Sequence, residues 1–350
     1  MRILLGEISS YKAIVIARYI RAVYPNVELW AYDKQSIIHV MHTKYVRKCI
    51  HIPFQSIECY INSLARYVNT QEIDMLLPVH SDYMGIILQH KELFGHALDW
   101  IGTYDDYIRL HEKSLLMNLA STLDIRVPRT YHSPQEARVP FVIKPTNLSS
   151  AKGVHYYQTE KEKKTINILP KDSICQEYIR GQGCGYEVYS REGKIIVEYG
   201  HIRYAEWPVS GGSSVLRGRY MHPRMRSIAE KILSEIRWTG YAMFEFKLTP
   251  DNELVLLEVN PRIWGSINQA LQDGCPFLSP IIGSPIWSES NAEVRTCLVP
   301  QVWLSMIRYA MKGQLDIVQD YISHLSITSR DVNFWTDPRG LISMIIHKLL

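Results

Sequence analysis

The segment YAMFEFKLTPDNELVLLEVNPR, residues 241–262, spaces two carboxylates, an amide and a guanidinium as if to hold something. Two apolar runs flank Pro250, Asp251 and Asn252, which are turn-forming residues, so the segment reads as a β-hairpin. With the turn centred between Asp251 and Asn252, Glu245 falls directly opposite Glu258, and Asn260 lies on the same face. Opposed side chains on antiparallel strands have Cβ atoms about 4.5–5.5 Å apart. Two carboxylates that close repel, and a divalent cation between them removes the repulsion. Two Glu and one Asn offer hard oxygen ligands, which suit Mg²⁺ and not zinc. Arg262 follows the bend at Pro261, and its planar fork suits phosphate or carboxylate. Read alone, the same residues serve equally as a solvent-facing sheet edge, and a one-residue bulge would break the opposition.

Candidates for an anion lie upstream. FVIKP puts Lys144 at the end of an apolar strand, a costly place for an ammonium unless an anion meets it. The loop from Thr146 to Gly153, with Lys152 near its end, is built of small residues whose backbone amides could cradle phosphate. Lys113, early in the preceding helix, could reach the same anion; alone it reads better as a snorkelling surface residue. SICQEYI is an extended apolar segment containing Gln176 and Glu177. Such a connector can offer one carbonyl and one amide to a purine edge, with Glu177 and Ile179 the candidates.

The elements that must position these groups follow from periodicity. Strand and helix alternate over the first hundred residues: Ile3–Leu5, Tyr11–Tyr24, Val27–Tyr32, Ile50–Ile52, Ile57–Val68, Ile73–Val79, Tyr83–Leu93. This is the signature of a parallel, Rossmann-like α/β sheet. Its first turn, GEISSYKA, has Gly6 as its only glycine, so a dinucleotide fingerprint is missing. A helix is expected from Thr103 to about Leu123, short strands and turns from Pro128 to about residue 200, and a helix over Met225–Ile236. The hairpin and further helices complete an α+β unit.

A length of 350 residues predicts two or three domains, and 46% apolar with 21% charged residues is a globular composition. A net charge of +4 with scattered basic residues argues against nucleic acid. The six cysteines lack CxxC or metal-like spacing and read as free thiols. The N-terminus is apolar for too few residues to be a signal peptide, and no run approaches a membrane span. A cytoplasmic protein without membrane association is expected. Near the C-terminus, GLISMIIHKLL puts Leu341, Ile342, Ile345 and Leu349 on one helical face, expected to pack on the protein or at a homodimer contact.

Lys113, FVIK with Lys144, QEYI at 176–179, FEF with Glu245, and EVNPR at 258–262, in this order and spacing, resemble the ATP-grasp superfamily. EVNPRIWGS is the most specific part. It looks most like the branch of carbamoyl-phosphate-synthetase-like predicted carboligases and D-aspartate-ligase-type amino-acid ligases, and FWTDPRGL resembles the tail of those carboligases. The resemblance implies a Rossmann-like pre-ATP-grasp domain at 1–104 and an ATP-grasp domain at 105–280. The latter would have a small lid subdomain at about 128–180 and a larger antiparallel-sheet subdomain, followed by a C-terminal helical segment at 281–350.

It also implies roles. Lys113, Lys144 and Lys152 would contact ATP phosphates, and Gln176, Glu177, Tyr178 and Ile179 would surround adenine. Glu245, Glu258 and Asn260 would hold one or two Mg²⁺, or Mn²⁺, and Arg262 would act on the transferred phosphate. The lid loop is poorer in glycine than the family's usual loop. RGQGCGYE lacks a certain ribose-binding carboxylate, for which Glu187 is the nearest candidate. The implied reaction joins a small carboxylate to an amine through an acyl phosphate. A bicarbonate-using carboxylase or carbamoylating enzyme, or a non-catalytic nucleotide-binding subunit, are the alternatives.

For the small-molecule substrates, GHIRYAEWPVSGGSSVLRG offers His201, Arg203, Arg217 and the stretch ending in Ser213 and Ser214. A plain surface loop is the other reading. His80-Ser-Asp82, after a parallel strand, is a second candidate.

Overall fold

The computed structural model describes residues 1–147, 153–209, 211–284, 294–333 and 335–349. Four short apolar strands open the chain: β1 (Arg2–Leu5), β2 (Glu28–Asp33), β3 (Lys48–His51) and β4 (Met75–Leu77). They pair in parallel in the order β3-β2-β1-β4. The chain winds outward through β2 and β3, then crosses back to β4 on the other side of β1. The carboxyl ends of β1 and β4 therefore flank a topological switch point, the crevice where open α/β sheets bind ligands.

The expected helix from Thr103 to Leu123 is two helices, Tyr104–His111 and Lys113–Thr122. The break falls at Glu112, whose extended backbone and side chain cap the second helix by accepting the Leu115 amide at 2.8 Å. Lys113 thereby becomes a first-turn residue, and its amide donates to the Thr146 carbonyl at 3.1 Å.

A small antiparallel sheet follows, in the order β5-β8-β6-β7: β5 (Thr130–Tyr131), β6 (Phe141–Pro145), β7 (His155–Tyr157) and β8 (Ser173–Glu177). It buries one face over its own core of Tyr131, Ala137, Phe141, Ile143 and Cys175. The large sheet is built from β9 (Gln182–Arg191), β10 (Lys194–Trp207), β11 (Ser213–Arg219), β12 (Gly240–Leu248) and β13 (Leu254–Asn260). Two strands from the segment expected to be helical, β14 (Arg295–Cys297) and β15 (Thr328–Arg330), extend it to the order β13-β12-β9-β10-β11-β14-β15.

One continuous apolar core underlies the parallel sheet and the large sheet together. Aromatic rings join them: Trp100 lies 5.8 Å from Tyr241, and the Tyr189 hydroxyl donates to the Trp100 carbonyl at 2.9 Å. The C-terminal helix Pro338–Leu349 packs on the helix Tyr11–Val23. Its buried face is not the expected one. Met344 is buried against Ile14 with Leu341 beside it, while Ile345 is exposed, because the seat is narrow and follows a 341/344 spacing.

Candidate active site in the cleft between the sheets

Glu245 and Glu258 do lie opposite each other, but not by the expected route. The turn pairs Leu248 with Leu254, so it is centred on Asp251, one residue short of the arithmetic. A bulge between Glu245 and Phe246 then takes up Leu257 as an extra residue and restores the opposition. The bulge is what makes the pairing, not what breaks it. It also frees the Leu257 carbonyl, which accepts from the Lys144 ammonium at 3.3 Å.

The charges on this hairpin are closely matched. Asn260 donates to both carboxylates, at 3.2 Å to Glu245 and 3.1 Å to Glu258. Its own oxygen accepts from Arg262 at 2.9 Å. Glu258 pairs with Lys113 at 3.3 Å, and Glu245 with Arg203 at 2.6 Å. Arg203 also meets Glu206 at 3.5 Å. Lys113 is buried rather than snorkelling, because the helix break at Glu112 turns it inward. Burial works to raise the Glu258 pKa, yet Lys113 and Lys144 outweigh it and hold that carboxyl at about 2. Burial pulls the Lys144 ammonium down to about 8, although Glu258 opposes this. The Nε atoms of Arg203 and Arg262 are buried without a hydrogen-bond partner among the described residues.

These groups border a cleft of about 690 Å³ between the small and large sheets. Lys113, Lys144, Glu245, Glu258, Arg203 and Arg262 line it, and so do Gln176 to Ile179, Ser213 and Ser214. On the small-sheet side the Glu177 amide donates to the Arg129 carbonyl at 2.9 Å. The Arg129 amide turns instead to the Glu177 carboxylate, at 3.2 Å, so this ladder leaves the Glu177 carbonyl unused. The Ile179 amide has no backbone acceptor among the described residues. An available acceptor and donor two residues apart match one edge of a heterocycle.

Other expectations meet a different outcome. Glu187 shares a sheet face with Met243 and Glu245, but it is fully buried, bonded to His201, and does not reach the cleft lining. Arg217 is likewise buried, paired with Asp331 at 2.5 Å. Lys152 lies outside the described residues. His80 borders the cleft. Lys12, Tyr156 and Glu206 line it without having been singled out. Two register shifts in β10, around Ala205, hide Glu206 from a period-two reading, which would place it opposite in face to Arg203. Tyr156 reaches across from the small sheet: a Cβ on Gly211 would lie 2.4 Å from its hydroxyl, so only glycine admits that approach.

Among the described residues no helix is long and apolar enough to cross a membrane, and no group of three His, Cys, Asp or Glu could hold a metal.

Comparison with known proteins bears on the same residues. The ATP-grasp domain model matches residues 111–266, from the helix break through Arg262. The D-alanine--D-alanine ligase of Fusobacterium nucleatum is 29% identical over 161 residues, which are 43% of this chain and 55% of that protein. The match thus spans about half the length of this relative. Among solved structures, the L-amino acid ligase from Bacillus licheniformis superposes with a TM-score of 0.62 at 14% identity, covering 84% of this chain and 77% of that one. N5-carboxyaminoimidazole ribonucleotide synthetase from Thermotoga maritima gives 0.60 at 15% identity, covering 83% and 78%. A biotin carboxylase from Campylobacter jejuni gives 0.63 at 14% identity, covering 84% and 74%. At these identities the structural likeness establishes fold. Residues 111–266 match the ATP-grasp domain model, and the chain shares its fold with these solved structures.

Proposed function

We propose that the chain is an ADP-forming carboxylate–amine ligase. The observation that carries this reading is the Lys113–Glu258–Asn260–Glu245–Arg203 network, set between Lys144 and Arg262 in one cleft. Two ammonium groups and a guanidinium converge there beside the carboxylates of Glu245 and Glu258. That suits a polyphosphate, while the Glu177 carbonyl and Ile179 amide suit adenine.

The donor set fits a hard divalent cation. Asn260 already bridges the two carboxylates through its amide N–H groups, and Lys113 and Lys144 hold Glu258 ionised. Mg²⁺, held by Glu245, Glu258 and Asn260, would neutralise phosphate charge. The protein's own work is positioning and electrostatics. Lys113 and Lys144 hold the phosphates. A substrate carboxylate oxygen attacks the γ-phosphorus, the bond to the β-phosphate oxygen breaks, and ADP leaves. Arg262 stabilises charge on the transferring group. The amine nitrogen then attacks the acyl carbon, phosphate departs, and the nitrogen loses a proton. No side-chain nucleophile is required.

The test is ADP release from purified protein with ATP and a panel of amino acids, with and without bicarbonate. Amino-acid-dependent ADP with trapping of a hydroxamate by hydroxylamine supports the reading. Bicarbonate dependence alone replaces it with a carboxylating enzyme. AMP and pyrophosphate as products would overturn the acyl-phosphate route.

A further inference from the structure

Opposite the hairpin, the helix Tyr11–Val23 begins at the switch point between β1 and β4. Its Ser10 cap accepts the Ala13 amide, so the Tyr11 and Lys12 amides, at the positive end of the helix, have no intrahelical acceptor. Lys12 borders the cleft and is only 7% exposed. Among the described residues its ammonium makes no ion pair and no hydrogen bond.

The charged groups around it do not compensate. Arg262, on the hairpin, repels it. Glu7 attracts it, but that carboxylate already accepts from the Val79 and His80 amides at 2.9 and 3.1 Å and from the Tyr32 hydroxyl at 3.3 Å. Burial also raises the Glu7 pKa to about 7, which weakens it as a counterion. Asp82 attracts it from the first turn of the helix Ser81–Gln89, which follows β4. Burial first, and then Arg262, hold the Lys12 pKa well below that of an ordinary lysine. A buried cation left in this condition is costly, and an anionic ligand would remove the cost.

We infer that Lys12 and the first-turn amides of this helix bind the carboxylate of the amine substrate, so that the acceptor is an amino acid and not ammonia or a simple amine. This inference rests on the ligase reading. Lys12 belongs to the helix after β1 and makes no ion pair with Glu245 or Glu258 among the described residues, so it stands on the wall facing the one assigned to ATP, with Arg262 near enough to repel it. It lies where an incoming nucleophile would enter, in the crevice the parallel sheet provides. The donor's carboxylate, by contrast, must lie against Arg262 to reach the γ-phosphate.

The experiment compares wild type, Lys12→Met and Lys12→Arg in the full chain. It measures the KM of the amino acid that best supports ADP release, the response to that amino acid's carboxamide, hydroxamate formation with hydroxylamine as acceptor, and MgADP binding by calorimetry. In wild type the carboxamide should be a poor substrate. Lys12→Met should raise the amino-acid KM about 10- to 100-fold, as expected for a lost charged hydrogen bond. Hydroxamate formation and MgADP affinity should stay within two-fold, since hydroxylamine needs no carboxylate site, and Lys12→Arg should restore most of the KM. An unchanged KM in Lys12→Met overturns the inference and leaves the ligase reading intact. A parallel fall in hydroxamate also overturns it, because the anion is then the donor's. If Lys12→Met fails to bind MgADP, Lys12→Gln, which keeps a polar tip, decides on the same readouts. If wild type binds MgADP but no amino acid raises ADP release, the ligase reading falls and this inference with it.

Discussion

The two walls of the cleft handle charge in opposite ways. On the hairpin wall, every carboxylate has a cationic partner and one amide ties the set together. On the helix-start wall, a buried lysine faces the cleft with a weakened carboxylate nearby and a repelling arginine across from it. A satisfied network holds its groups in place before substrate arrives, and so costs little reorganisation during the reaction. An unsatisfied cation does the reverse and derives its stabilisation from the ligand. The comparison separates residues expected to govern chemistry from one expected to govern the choice of substrate.

The largest effect should come from breaking the hairpin network at its centre. Glu258→Gln keeps the volume and an acceptor for Lys113 but loses the charge that Lys113 and Lys144 share. ADP formation should fall by at least about 100-fold, in line with removal of one preorganised electrostatic group. Circular dichroism should be unchanged. Ordinary turnover at millimolar Mg²⁺ would remove Glu258 from the metal set.

Arg262→Lys should come next. The ammonium keeps the charge but loses the planar fork that reaches Asn260 and carries the buried, unpartnered Nε. We expect kcat to drop about 10-fold or more with ATP affinity nearly constant, the signature of an interaction strengthened in the transition state. A matched loss of ATP affinity would instead make Arg262 a ground-state phosphate ligand.

Lys144→Ala should weaken ATP binding by about 1.5–3 kcal/mol, measured by calorimetry at pH 7. The wild-type affinity should also depend on pH in a definite sense. The Lys144 ammonium is held at about 8, so in the free protein it is charged below that pH and neutral above it. ATP affinity should therefore fall as pH rises through about 8, and Lys144→Arg, which does not titrate there, should flatten the profile. A profile that is flat in wild type would place Lys144 outside the phosphate site.

The same contrast explains what could be read from the sequence. Glu245, Glu258, Asn260 and Arg262 were legible because a strand alternates faces at a period of two, and polar groups recurring at that period in an apolar run need a reason. Lys113 was named as a candidate, but its burial was not legible, since Thr103 to Leu123 keeps helical spacing throughout and the break at Glu112 shows only in its extended backbone. Lys12 looks like any surface lysine early in a helix; its burial shows only in the fold, where it lines the cleft together with Arg262 and Met344, hundreds of residues away. Glu206 was hidden by the irregularities of β10. The bond of Glu187 to His201, which keeps it out of the cleft lining, could not be read from its position in the sequence.

The smallest effect tests how the hairpin reaches its register. Asn252 sits in the left-handed region, at φ 61°, and its amide donates to the Thr249 carbonyl at 3.0 Å. A residue with a Cβ pays about 1–2 kcal/mol there, and asparagine is tolerated better than alanine because its side chain can bond locally. Asn252→Ala should lower stability by about 1 kcal/mol, read as a shift of a few degrees in Tm at most. Asn252→Gly should be neutral or slightly stabilising. Neither should alter kcat, because the bulge at Leu257 lies between the turn and the two carboxylates and fixes their opposition independently. A loss of activity in Asn252→Ala greater than its loss of folded protein would mean that strain at the turn passes through the bulge. Glu245 and Glu258 would then be held in register by the turn, and the hairpin wall would be less self-contained than its hydrogen bonds indicate.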